Sequence, residues 1–136
     1  MDANLIETRK TGARRWFEEI WNQRRIETIY DLMAPDAVGH LEGEDIVGPE
    51  PFVKHFTDLM KTFPDLRLSV DEVVAQGEAA AVRWSIGATH RGSGLGLDPT
   101  GRTINVRGMT LVHVRNGRIV EAWDSWDRTG LLQALR

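Results

Sequence analysis

Hydrophobic positions along the chain follow two rhythms, and the change between them divides it into a helical first half and a stranded second half. Ile6, Ala13, Phe17, Ile20 and Trp21 recur at sums of three and four, with Trp16 on the flank, the spacing of an amphipathic helix. A shorter helical run, Ile26, Ile29, Tyr30 and Met33, ends at Pro35, and Asn22-Gln23-Arg24-Arg25 forms the corner between the two. Residues 37–41 read as a short strand, followed by a polar loop over 42–45. Gly48-Pro49 then opens a helix whose apolar face is Phe52, Val53, Phe56, Leu59, Met60 and Phe63, stopped by Pro64.

From Leu66 the period becomes two. Leu66, Leu68 and Val70 alternate with Arg67, Ser69 and Asp71; Val82, Trp84, Ile86, Ala88 and His90 alternate with Arg83, Ser85, Gly87 and Thr89. A Gly/Pro-rich loop spans 92–101, a long strand 104–114, and Asn116-Gly117 is a hairpin turn into a last strand over 119–126. Leu131, Leu132 and Leu135 predict a short terminal helix, with Asp127 as its N-cap. Helices followed by an antiparallel meander make an α+β domain. No linker or repeat interrupts it, so residues 1–136 form one domain. The strand over 104–114 is apolar on both faces: Val106, Thr110 and Val112 on one, Met109 and Leu111 on the other. One face can wrap a pocket with the helices. The other, joined by Trp123, predicts a homodimer packed through the sheet.

Composition narrows the function classes. The chain has 136 residues with 41% hydrophobic content and a net charge of -3, which predicts neither nucleic-acid nor membrane attachment. Cysteine is absent. That excludes disulfides, thiolate catalysis and cysteine-ligated metals, and it suits a cytoplasmic location, as does an N-terminus without a signal-peptide pattern. Gly92, Gly94 and Gly96 lack the helix and βαβ setting of a dinucleotide site. His40, Glu42, Glu44 and Asp45 match no strong ligand spacing, so the loop reads as a solvated acidic turn. No metal or cofactor is expected. Five Trp stand against one Tyr, and such large side chains serve either as pocket walls or as core.

Four stretches together resemble the SnoaL-like polyketide (ester) cyclases: Trp16–Asn22, the run Ala34-Pro35-Asp36-Ala37-Val38, the segment 87–102, and residues 116–127 leading into Gly130-Leu131-Leu132-Gln133. The resemblance covers nearly the whole chain. It implies the cone-shaped fold of the nuclear-transport-factor-two-like superfamily, in which a curved, mainly antiparallel sheet and N-terminal helices enclose an apolar pocket. It further implies cofactor-free aldol chemistry by one aspartate, which falls on Asp124. Those cyclases carry a Gln and a His on the neighbouring strand where this chain has Gly108 and Thr110, and Asp98 replaces their usual loop proline.

The residues themselves support Asp124. On a regular strand it shares a face with Ala122 and Trp126, and a carboxyl group held among apolar side chains is tuned toward base strength. A structural, hydrogen-bonded Asp is the alternative. His90 is either a donor to a developing oxyanion or the anchor of the glycine-rich loop. Trp16, Trp21, His40, Trp84, Thr110 and Trp126 are candidate substrate contacts. His55 and His113 read as surface or interface residues. Three functions fit: an acid–base cyclase for a hydrophobic carbonyl compound, an isomerase or hydratase on the same fold, and a non-catalytic binding domain for a small apolar ligand.

Overall fold

The computed structural model describes residues 2–136. Helix α1 (Asp2–Arg15) runs without a break into a π-helix (Trp16–Asn22). Arg24 then turns the chain with a left-handed φ of 63°, and its guanidinium donates to the carbonyls of Trp21, Pro64 and Leu66. Helix α2 (Ile26–Leu32) follows, then strands β1 (Met33–Leu41) and β2 (Glu44–Val47) and helix α3 (Pro49–Thr62). The meander is β3 (Arg67–Gln76), β4 (Ala79–Thr89), β5 (Thr103–Arg115) and β6 (Arg118–Trp126), closed by helix α4 (Arg128–Ala134).

One six-stranded sheet has the order β2-β1-β6-β5-β4-β3. Every neighbouring pair is antiparallel except β1 and β6, which run parallel. The α+β class with N-terminal helices over a mainly antiparallel sheet is thus as expected. Register shifts interrupt the pairing between Met33 and Val38, between Val70 and Glu72, and between His113 and Val114. Such bulges bend a sheet, and here they curl it around the helices. Ile20, Ile29, Val82 and Leu135 are almost wholly buried in the core beneath them.

Three local expectations need correction. The α2 run ends at Leu32, and Met33 already belongs to β1. Pro35 therefore does not stop a helix. It sits inside β1 where the pairing with β6 lapses, a place in a sheet that tolerates a missing N–H. The polar loop over 42–45 is shorter than its composition implied, since Glu44 and Asp45 open edge strand β2. An edge strand with one buried residue, Ile46, can be polar elsewhere.

Candidate functional site

The inner face of the sheet and the helices enclose a cavity of about 660 Å³, within the range of small-molecule sites. The π-helix contributes Trp16, Phe17 and Trp21 to its wall, and α3 contributes Phe52, Leu59 and Thr62. In an α-helix Trp16 and Trp21 would point well apart. Bonding between i and i+5 winds the turn wider, so both reach the cavity, packed against Phe52 at ring distances of 5.1 and 6.5 Å. The strands add two rows of inner-face residues. Trp84, Gly108 and Trp126 lie side by side across β4, β5 and β6, and Val82, Thr110 and Asp124 form the next row. Glu42, Glu44, His55, Asp58, Lys61 and Arg128 are the charged or titratable side chains that complete the lining with Asp124.

Asp124 lines this cavity. Burial pushes its carboxyl group up to about 6, against a downward pull from the Thr110 hydroxyl and with a smaller upward push from Glu42. Thr110 Oγ1 donates to Asp124 Oδ1 at 2.7 Å and accepts from Trp84 Nε1 at 3.0 Å. A carboxyl group with that affinity for a proton is ionised at neutral pH yet close enough to balance to give the proton back.

Trp16, Trp21, Trp84, Thr110 and Trp126 all line the cavity. Two other candidates do not. His40 points to the opposite face of the sheet, because β1 alternates and Gly39 and Leu41 take the cavity side. There its Nε2 contacts Glu121 at 2.7 Å and its Nδ1 contacts Asp45 at 3.0 Å, and its ring stacks on Trp123 at 5.5 Å. Both carboxylates, Glu121 foremost, raise its pKa. His90 is completely buried behind the wall, 5.7 Å from the Phe63 ring. Its Nδ1 lies 3.0 Å from Thr100 Oγ1 and accepts from the Thr100 N–H. The geometry therefore gives His90 the anchoring role, holding the loop that carries Ser93, Gly94 and Leu95 to the cavity. His40 is corrected from substrate contact to outer-face residue, and of the two readings of His90 the geometry favours the loop anchor.

His55 was read as a surface or interface residue, yet it lines the cavity, 3.7 Å from Glu44. Burial lowers its pKa. The signal was present, since His55 falls three residues after Phe52 on the apolar face of α3. Arg128 gave no such signal, because only the fold brings α4 beside the β1–β2 turn, where the Arg128 guanidinium approaches Gly43. Among the described residues no group of three or more His, Asp or Glu side chains is arranged to hold a metal ion.

The profile of one family, described as SnoaL-like polyketide cyclase, matches residues 11–135. The chain belongs to this family. Aklanonic acid methyl ester cyclase AcmA of Streptomyces galilaeus is 27% identical over 127 residues, spanning 91% of this chain and 88% of its own length. Two solved structures are also similar. IdmH of Streptomyces antibioticus is 31% identical, with coverage of 88% of this chain and 92% of that one and a TM-score of 0.75. AclR of Streptomyces galilaeus, provisionally named a hydroxylase, is 28% identical with a TM-score of 0.84, covering 96% and 82% of the two chains. Within this SnoaL-like chain Thr110 pairs with Asp124 across β5 and β6, and Gly108 pairs with Trp126 one row away.

Proposed function

We infer that this SnoaL-like protein closes a ring on a hydrophobic carbonyl compound, with Asp124 as the acid–base group. The carboxylate takes a proton from an activated methylene, and the C–H electron pair becomes an enolate. The enolate carbon attacks an internal carbonyl carbon, forming the C–C bond, and the resulting alkoxide recovers the proton from Asp124. The product is an isomer of the substrate and the protons balance, so the reaction calls for no cofactor. The observation that carries this reading is the Asp124 carboxyl group, pushed up to about 6 in the wall of an apolar cavity. The aromatic walls supply the rest: they fold a flexible substrate so that its two reacting carbons meet, which by itself accelerates ring closure substantially.

The chemistry of AcmA makes aklanonic acid methyl ester the first compound to assay. Turnover should give a product of unchanged mass, and Asp124→Asn should lower the rate by roughly a hundred to ten thousand fold while ligand quenching of the cavity tryptophans persists. A product heavier by one oxygen would replace cyclisation with hydroxylation, the activity AclR is named for. Quenching without turnover in either form, across a panel of such esters, would make this a binding domain. Two further features belong to the proposal. A second copy covers the outer sheet face, where Met109 and Leu111 are 58% and 39% exposed beside Trp123. A cytoplasmic location suits the cysteine-free chain.

A further inference from the structure

Gly108 sits beside Asp124's row on the inner face of β5, at a place where a side chain would collide. A Cβ there would overlap the six-membered ring of Trp84 and approach Ser125 O to 2.9 Å. The Trp84 ring consequently lies over β5 and reaches one row further, to Thr110. Trp84 and Thr110 are both buried, at 5% and 4% exposure, so water does not compete for their hydrogen bonds.

The proton directions in this chain of contacts are forced. An indole N–H can only donate, so Trp84 Nε1 fills a lone pair of the Thr110 hydroxyl at 3.0 Å. The single hydroxyl proton then goes to the acceptor 2.7 Å away, Asp124 Oδ1. Among the described residues Oδ2 accepts no hydrogen bond from protein. We propose that Trp84 and Thr110 form a two-step relay that holds Asp124 through Oδ1 and leaves Oδ2 as the oxygen that exchanges a proton with the substrate, with Gly108 as the residue that makes room for it. The proposal rests on Asp124 as the acid–base group and adds the device that orients it. Thr110 and Trp84 are positioning residues: Thr110 touches the base, Trp84 holds Thr110, and both act through Asp124.

The same contacts set the proton affinity. The Thr110 hydroxyl stabilises the carboxylate against the burial that opposes it, and Trp84 keeps that hydroxyl from turning away. The other ionisable groups on the same cavity are Glu42 and Glu44 from the β1–β2 segment, His55, Asp58 and Lys61 from α3, and Arg128 from α4. The inner rows of β4 and β5 beside Asp124 bring none.

Carbon-13 NMR of protein labelled at the aspartate carboxyl carbons tests the relay without a substrate, with Asp124→Asn assigning the signal. The native midpoint should lie near 6. Thr110→Val, nearly the same shape without a hydroxyl, should raise it by about one pH unit, whereas Thr110→Ser should keep the native midpoint. Trp84→Phe should raise it by less, and Gly108→Ala should do the same although every polar relay group remains. If Trp84→Phe does not fold, Gly108→Ala and the exchange protection of the native Trp84 indole proton carry that arm. An unchanged midpoint in Thr110→Val, or a Thr110→Ser midpoint that follows it, overturns the relay. An unchanged midpoint in Gly108→Ala together with fast exchange of the indole proton removes Trp84 from it. Midpoints that move as expected in a protein without cyclase turnover would leave the relay standing and defeat only the proposed reaction.

Discussion

Asp124 is held where its charge is disfavoured, and that has a consequence for stability as well as reactivity. The carboxyl group titrates near 3.8 in its ordinary state and at about 6 in the fold. Between these values the folded protein binds the proton more tightly than the unfolded chain, so stability falls as pH rises through this window and levels off above it. Asp124→Asn should therefore melt higher than the native protein at pH 7, by up to about 3 kcal/mol of unfolding free energy, with the difference shrinking toward pH 4. Thermal melts at the two pH values check the sign. A variant that is inactive yet more stable is what a functional strain predicts; a destabilised one would mark Asp124 as a structural residue. Glu42→Gln removes the carboxylate that pushes Asp124 up, so the same midpoint should move to lower pH in a carboxyl titration.

The cavity also depends on short elements held at their ends. Glu19, inside the π-helix, accepts from Arg15 at 2.8 and 3.2 Å and from the buried Thr28 of α2 at 2.7 Å, with Arg25 3.3 Å away. The Arg15 hydrogen bonds first, then Thr28, hold its carboxyl group at about 2, below an ordinary value of 4.5. A depressed carboxylate stabilises the fold above its unfolded pKa, and that contribution is lost as pH falls from about 4.5 toward 2. Acid titrations followed by circular dichroism should show Glu19→Gln less stable at neutral pH, with a flatter acid limb. At the other end of the chain, Asp127 caps α4 by accepting from the Gly130 N–H at 2.8 Å. Asp127→Ala should cost about 1 kcal/mol in chemical denaturation, and it should loosen ligand binding because α4 sets Leu131 and Leu132 against the cavity.

Across the sheet, the two faces have separate work. The inner face encloses the cavity, while outward a row runs through Val74, Ala81, Leu111, Trp123 and His40 over five strands. Val74 is 55% exposed and Leu111 39%, and neighbouring Met109 extends the apolar surface toward a size that favours burial against a partner. Light scattering at micromolar concentration should give a dimer mass, and Leu111→Lys should give a monomer with unchanged secondary structure. A native monomer, or a dimer indifferent to Leu111→Lys, would remove the sheet face from the assembly. No helix among the described residues is long and apolar enough to cross a membrane.

Period and punctuation carried much of this structure. The apolar face from Phe52 to Phe63 became α3, the alternation from Leu66 onward became the meander, and Asn116-Gly117 became its last turn, because each depends on neighbours a few residues away. Asp124 was legible for the same reason, since strand parity sets it beside Ala122 and Trp126 on the cavity side. The sequence places His40 on the wrong side and leaves His90 open between two roles, because parity along one strand does not say which face of a curved sheet meets the helices, nor what fills the space behind a strand end. The π-helix escaped detection because its hydrophobic spacing over seven residues is close to that of an α-helix. Tertiary structure alone decided the parallel pairing of β1 with β6, the approach of Arg128 to the β1–β2 turn, and the contact of Trp84 with Thr110 over Gly108. Each joins segments distant in sequence, and the energies that select them, burial and hydrogen bonding without water, exist only once the chain has closed around its cavity.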